Sequence, residues 1–247
     1  MNKSCIIVTG ASRGIGAAIA EGLAQAGFMV GCLSRSGDLP HRPDATQEVR
    51  ERWLSASCDV TDAAQVQGAI ADIQARCGLP IGGLVNNAGI HMEGKSETLP
   101  LDEFDKVMRT NANSVLIGSQ CIFPYLRDRG GLIVNIGSFF DKMGVKRNLA
   151  YCASKAAVGA ITRCLAVEWA SAGVRVLNVA PGYIYTDLNR EAMSTGPLHA
   201  FLEKRIPGGH PGTAEDVGAL VAALFSMPGG FLSGETIYID GAQGVAH

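Results

Sequence analysis

Residues 5–16 read CIIVTGASRGIG, and the fold follows from how this stretch changes character partway along. Cys5, Ile6, Ile7 and Val8 are apolar without alternation, as a strand buried on both faces of a parallel sheet must be. Beyond them Ile15, Ile19, Gly22, Leu23 and Ala26 recur at helical spacing, so a helix with one buried face follows the strand. Between strand and helix stand Gly10, Gly14 and Gly16. In a chain with 31 glycines among 247 residues such spacing is expected by chance in about half of cases, so its position supplies the specificity. Small residues at a strand end and helix start let a pyrophosphate approach backbone N–H groups and the positive end of the helix dipole. The loop positions expected to face a dinucleotide are Gly10, Ser12, Arg13, Gly14, Ile15 and Gly16.

The same alternation repeats outward along the chain. Strands are predicted at 28–33, 54–58, 81–86, 131–137, 174–180 and 236–239, with helical patterns between them. The clearest helix carries Val217, Leu220, Val221, Leu224 and Phe225 on one face. Seven strands alternating with helices predict an α/β fold, a Rossmann-type doubly wound parallel sheet with helices on both faces. Residues 1–247 are read as a single dinucleotide-binding domain. Two regions break the rhythm. Residues 36–43, with Pro40 and Pro43, form a loop ahead of a weak helix. Residues 187–212, with Pro197, Pro207 and Pro211, are too long for an ordinary connection and are expected to form a substrate lid.

Composition narrows the function classes. A chain of 247 residues, 47% apolar, can bury a sizeable core. Its formal net charge is −2 and it has no run of like charge to hold a polyanion, which argues against nucleic acid as a partner. The longest apolar run is Ala219 to Phe225, far short of the roughly 20 residues of a membrane helix. The opening MNKSCIIVTG reaches glycine before any signal-peptide core forms, so a soluble, cytoplasmic protein with no membrane association is expected. The cysteines at 5, 32, 58, 77, 121, 152 and 164 include no C-x-x-C pair and no metal-ligand spacing. They read as reduced thiols, no metal site is expected, and Cys152 alone stands beside a candidate catalytic residue.

The second strand ends in GCLSRSG, where an acidic residue would select NAD and a basic one NADP. Ser34 and Arg35 stand there, and Arg35 with Arg13 suits a 2′-phosphate, because guanidinium–phosphate hydrogen bonds are among the strong ones. NADP(H) is the expected cofactor. Two other arrangements fit the same letters: both arginines solvated, or a shifted register that brings Asp38 to the ribose. Further along, Tyr151 and Lys155 in YCASK lie one helical turn apart, and Ser138 ends the strand LIVNIGS at the edge where open α/β sheets bind ligands. Reducing a ketone requires a proton for the carbonyl oxygen. A tyrosine with a free pKa of about 10 needs a neighbouring ammonium to reach the working range. Tyr151 is therefore the candidate general acid, Lys155 its pKa-lowering partner, and Ser138 the hydrogen-bond donor to the substrate oxygen.

TGASRGIG at 9–16, NNAG at 86–89, NIGS at 135–138, YCASK at 151–155 and PGYIYTD at 181–187 resemble, in this order and spacing, the short-chain dehydrogenase/reductase family over essentially the whole chain. The resemblance implies a fourth catalytic member, Asn111 in TNANS, whose backbone carbonyl holds a relay water linking Lys155 to solvent. It implies that Asp59 and Val60 contact the adenine, that Asn87, Ala88 and Gly89 line the ribose, and that Pro181, Gly182, Ile184 and Thr186 hold the carboxamide. It gives Tyr151 and Lys155 a second role at the cofactor. The Ser34–Arg35 pair is similar to that of the family's NADPH-dependent carbonyl reductases. By overall resemblance the chain looks like 3-oxoacyl-[acyl-carrier-protein] reductases. Arg129 fits one of the basic residues that dock their acidic carrier, but Ala172 stands where the second is expected. A 3-oxoacyl thioester, a sugar or polyol, and a steroid-type alcohol all stay open as substrates. A catalytically silent NADP sensor on the same fold is the reading from another class. A homotetramer formed through helices 151–171 and 101–128 is implied. His91 reads as a surface or pocket-lining residue rather than a catalytic one, for want of a partner. Phe139, Phe140 and Met143 are candidates for the substrate wall.

Overall fold

The computed structural model describes residues 4–186 and 194–246. In chain order the first half runs β1 (Cys5–Thr9), α1 (Gly14–Gln25), β2 (Met29–Ser34), α2 (Gln47–Arg50), β3 (Trp53–Ser57), α3 (Ala63–Cys77) and β4 (Ile81–Asn86). The second half runs α4 (Leu101–Met108), α5 (Ser114–Leu126), β5 (Gly131–Ile136), α6 (Leu149–Glu168), β6 (Val174–Pro181), β7 (Ile184–Tyr185), α7 (Gly196–Arg205), β8 (Gly212–Thr213), α8 (Ala214–Ser226) and β9 (Thr236–Ile239). Seven strands form one parallel sheet in the order β3-β2-β1-β4-β5-β6-β9, and β7 pairs with β8 apart from it. The expected strands stand within one residue of these bounds.

Alternate residues of β1 feed opposite faces, as a strand's twofold period requires. Ile6 and Val8 join Ile19 and Leu23 of α1 and Val217, Val221 and Leu224 of α8 in one core. Cys5 and Ile7 join Ile70 and Ile73 of α3, Ile122 and Leu126 of α5, and Leu165 of α6 in the other. β1 has β2 on one side and β4 on the other, so the chain reverses its direction of progress across the sheet between them. Loops leaving the carboxyl ends of β1 and β4 therefore diverge and leave a crevice.

A buried polar row fixes the strands beneath that crevice. Asn86 and Asn135 face one another in register on β4 and β5. The Asn86 amide donates to Asn135 Oδ1 at 2.9 Å, and the Asn135 amide donates to Thr162 Oγ1 of α6 at 2.9 Å. The residues that follow, Asn87 and Ser138, leave the sheet from anchored positions.

Three elements differ from expectation. The helix expected over 101–128 is interrupted by a π-helical turn at Arg109–Asn113, a wider coil that tends to mark functional sites. The helix expected over 151–171 starts two residues earlier, at Leu149, and ends at Glu168 before a 3₁₀ turn at Ala170–Ala172. Within the expected lid, α7 places Leu202 and Ile206 against Tyr183 and Tyr185, while Asp187, Leu188 and Met193 lie outside the described residues.

Candidate active site

The first turn of α1 opens on a cleft. Arg13 is its N-cap residue, no side chain caps it, and no acidic residue stands in its first turn, so this helix end keeps its positive field for an anion. Gly14 has φ +56°, where side chains are strained, and a Cβ there would stand 3.7 Å from Thr186 across the cleft. Gly16 allows a tighter closure: a Cβ at this position would collide with the Gly10 carbonyl oxygen. An uncapped helix end faced by glycine backbone is what a dinucleotide pyrophosphate requires, so the residues present fit that group.

Thr9 ties this loop to the next. Its hydroxyl accepts from the N–H groups of Asn87 at 3.0 Å and Ala88 at 3.1 Å, and the Asn87 amide donates back to the Thr9 and Gly10 carbonyls. The resulting cleft, about 630 Å³, is lined by Gly10, Ser12, Arg13, Gly14, Ile15, Gly16, Ser34, Arg35, Asp59, Val60, Asn87, Ala88, Gly89 and Thr186. The remaining segment, Pro181, Gly182 and Ile184, sits at the end of β6 and in β7, where the Gly182 N–H donates to the Ile239 carbonyl. Asp59 lines the cleft and shapes its own turn: its carboxylate accepts from Thr61 N–H and Oγ1, bonds that hold it below the usual carboxylate range.

Arg13 and Arg35 also wall an adjoining recess with Ser36, Asp38 and His41. Among the described residues, neither guanidinium is in an ion pair. β2 ends at Ser34, so the register that would put Asp38 at the strand end is not adopted, although Asp38 borders the same recess. The loop is held by the His41 N–H, which donates to the Ser12 carbonyl, and by Arg42, which ion-pairs with Glu21 of α1 and Glu215 of α8.

The second cluster lies at the end of β5. Ser138 follows that strand, and its hydroxyl caps the 3₁₀ turn Phe139–Lys142 by accepting from the Phe140 N–H. Lys155 of α6 is buried and donates from Nζ to the Ile136 carbonyl at 2.8 Å, with Nζ 5.6 Å from the centre of the Tyr151 ring. Asn111, buried in the π turn, bonds both backbone groups of Ile90 and donates to Ser154 Oγ. Gly89 keeps the space beside these groups open, since a Cβ there would stand 3.2 Å from Asn111 Oδ1 and 3.8 Å from Lys155 Nζ. The structure thus brings Asn111, Ser138, Tyr151 and Lys155 to one place next to the dinucleotide cleft.

Burial dominates the electrostatics. It pushes the Tyr151 phenol above its ordinary value, and a hydrogen bond with Ser138 pulls the other way. It also pushes the Lys155 ammonium down to about 8. The expected lowering of Tyr151 by Lys155 is not found: the phenol is raised on balance, the hydrogen bond with Ser138 alone opposes burial, and Lys155 Nζ is engaged with the Ile136 carbonyl.

Sequence reasoning missed part of the cleft wall: Cys58, Thr61, Ile90, Asp102, Lys106, Arg109 and Thr110 also line it. The last four precede Asn111 by one to nine positions, so the helix leading into that residue was the available signal. Phe139 and Phe140 are buried and, with Tyr183, form a set of ring contacts that reaches Tyr151. His91 also stands against that tyrosine, with ring centres 4.9 Å apart and planes at 86°. Arg129 is a correction: it sits just before β5 begins, so a strand of six residues, roughly 20 Å long, separates it from Ser138. In one chain it does not flank the cleft.

The chain is similar to known oxidoreductases over nearly its whole length. A family described as enoyl-(acyl carrier protein) reductase matches residues 10–243. The NAD-dependent glycerol dehydrogenase of Listeria innocua is 34% identical over 236 residues, covering 95% of this chain and 91% of its own. The 3-oxoacyl-[acyl-carrier-protein] reductase of Vibrio harveyi is 33% identical over 239 residues, covering 96% of each. The crystal structure of a gluconate 5-dehydrogenase from Burkholderia cenocepacia, in complex with NADP and tartrate, superposes with a TM-score of 0.88 at 30% identity, covering 100% of this chain and 97% of that one.

Proposed function

Because the chain belongs to the short-chain dehydrogenase/reductase family, whose oxidoreductases interconvert carbonyls and alcohols with a nicotinamide cofactor, we propose that it is an NADPH-dependent reductase of a ketone to a secondary alcohol, with Asn111, Ser138, Tyr151 and Lys155 as its catalytic group. The observation that carries this reading is the convergence of Ser138, Tyr151 and Lys155 at the carboxyl end of β5, beside a cleft whose outer recess is lined by two arginines that ion-pair with no described residue.

When bound, the dinucleotide supplies the hydride. Gly10, Ser12, Gly14, Ile15 and Gly16 would hold its pyrophosphate, and Arg13, Ser34 and Arg35 its 2′-phosphate. Asp59 and Val60 would contact the adenine. Asn87, Ala88 and Gly89 would line the ribose, and Pro181, Gly182, Ile184 and Thr186 would hold the nicotinamide end. On the substrate side, the Ser138 hydroxyl donates to the carbonyl oxygen and Tyr151 Oη delivers the proton that turns it into a hydroxyl. Lys155, charged below about pH 8, favours the phenolate left behind. Asn111, braced on Ile90 and Ser154, keeps the π turn beside this proton route in place.

Arg129 at the opposite end of β5 and Ala172 in the 3₁₀ turn weigh against a carrier-protein thioester and toward a small polar substrate such as a sugar or polyol. The segment 187–212 would close over that substrate through α7, and residues 1–247 would act as one dinucleotide-binding domain. We further propose a cytoplasmic homotetramer formed through α4–α5 and α6; no described helix is long and apolar enough to cross a membrane. Following NADPH oxidation over β-ketoacyl thioesters, sugars, steroids and simple ketones tests the proposal. Turnover of at least one ketone, faster with NADPH than with NADH, is expected; a preference for NADH would remove the cofactor assignment.

A further inference from the structure

We propose that His91 is a specificity-determining residue of the substrate pocket, a hydrogen-bond acceptor for a substrate hydroxyl held ready by Asn148. This rests on the reading of Tyr151 as the proton donor, because a carbonyl that reaches Tyr151 must pass the groups around its ring. Those groups are of two kinds. Phe140 and Tyr183 provide an aromatic wall, with the Phe140 ring centre 6.0 Å from that of Tyr151. His91 provides a polar one, 4.9 Å away and edge-on. It is exposed, so part of its ring faces open space.

The hydrogen-bond pattern sets which atom His91 offers. Asn148 is 6% exposed and its amide Nδ2 donates to the Lys146 carbonyl at 2.9 Å. The other end of that amide, Oδ1, is therefore the end that meets His91 Nε2. An amide oxygen only accepts, so the proton of this bond belongs to Nε2. In the neutral ring Nδ1 then carries the lone pair, and no described residue donates to it. A fixed acceptor beside the proton donor suits a carbonyl substrate with a hydroxyl near its reacting carbon, as in a polyol, ketose or hydroxy acid. An acyl chain would leave the acceptor unpaired.

The test compares dihydroxyacetone with acetone, the same carbon skeleton with and without hydroxyls, using intact protein and NADPH. In the wild type kcat/KM should favour dihydroxyacetone. His91→Phe keeps a ring against Tyr151 but removes the acceptor. It should lower the dihydroxyacetone-to-acetone ratio roughly tenfold, chiefly through KM, the worth of one neutral hydrogen bond. His91→Gln, which restores an acceptor without the ring, should recover part of that ratio, and it carries the comparison alone if His91→Phe does not fold. An equal loss on both substrates, or no loss on either, overturns the inference. So does wild-type reduction of a 3-oxoacyl thioester without activity on dihydroxyacetone, while the family reaction stands. Tight NADPH binding with no turnover of any carbonyl overturns the underlying reading and this inference with it.

Discussion

The cofactor side of the cleft is built of backbone turns tied by short polar side chains, whereas the substrate side is built of rings resting on rings. On the first, the Thr9 hydroxyl, the Asn87 amide and the glycines of the loop after β1 fix two turns against each other with little freedom. On the second, His91, Phe140, Tyr151 and Tyr183 meet through edge contacts from four separate segments. A backbone-built site demands particular residues at particular spacings, because only glycine permits the approach and only a small hydroxyl fits the tie. A side-chain-built site tolerates many solutions of similar volume. One cofactor pocket can therefore serve many substrates, as the glycerol, gluconate and 3-oxoacyl relatives illustrate.

The comparison can be broken at its junction, where both halves meet on Tyr151. Tyr151→Phe is expected to lower kcat by 10² to 10⁴, about the worth of a general acid, while NADPH binding by fluorescence titration stays as in the wild type. An unchanged rate would show that Tyr151 is not the proton donor, and a wild type that binds NADPH without any turnover would favour the sensor reading.

A smaller effect tests the cofactor half alone. Arg35→Ala should reduce kcat/KM for NADPH by roughly 10- to 100-fold and leave that for NADH within a few-fold, since charge-assisted hydrogen bonds to a phosphate are lost. Equal losses with both cofactors would mean that Arg35 supports the loop rather than reading the phosphate.

Thr9→Val probes the tie between the two turns. It leaves the N–H groups of Asn87 and Ala88 without their acceptor and should cost about 1–3 kcal/mol in denaturant unfolding, with weaker cofactor binding and an unchanged substrate KM. A rise in substrate KM alone would contradict the division between the halves.

The gentlest lever is pH. Lys155 has its folded pKa depressed to about 8 from an ordinary 10.5, so between these values the unfolded chain binds a proton that the folded chain does not. The Lys155 contribution to stability without cofactor, read as wild type minus Lys155→Met, should therefore rise with pH from about 8 to 10, no more steeply than about 1.4 kcal/mol per pH unit. The Cys5, Cys32 and Cys58 thiols, raised by burial, ionise first in the unfolded chain and pull the curve of either protein down above about 9. Above about 10 the raised Tyr151 adds to that fall, because an unfolded tyrosine ionises first.

The difference between the halves also explains what could be read from the letters alone. Strand positions and order of elements were legible because a two-sided parallel sheet forces unbroken apolar runs such as CIIV. The cofactor loop was legible because its glycines are local in sequence. The π turn at Arg109–Asn113 was not, since a one-residue widening leaves the helical period almost intact. The role of His91 was hidden because its partner Asn148 lies 57 residues away and no spacing rule links them. Arg129 misled because identity at one position says nothing of which end of the strand it occupies.

The central claim is that this cleft moves a hydride from NADPH to a carbonyl carbon. The most direct measurement uses NADPH carrying deuterium at the transferable position of its nicotinamide and follows the product of the best ketone by mass spectrometry. The account predicts deuterium on the carbinol carbon of the alcohol, formed by the wild type and nearly lost in Tyr151→Phe. Product without deuterium, or NADPH bound and never consumed across the ketone panel, would contradict it.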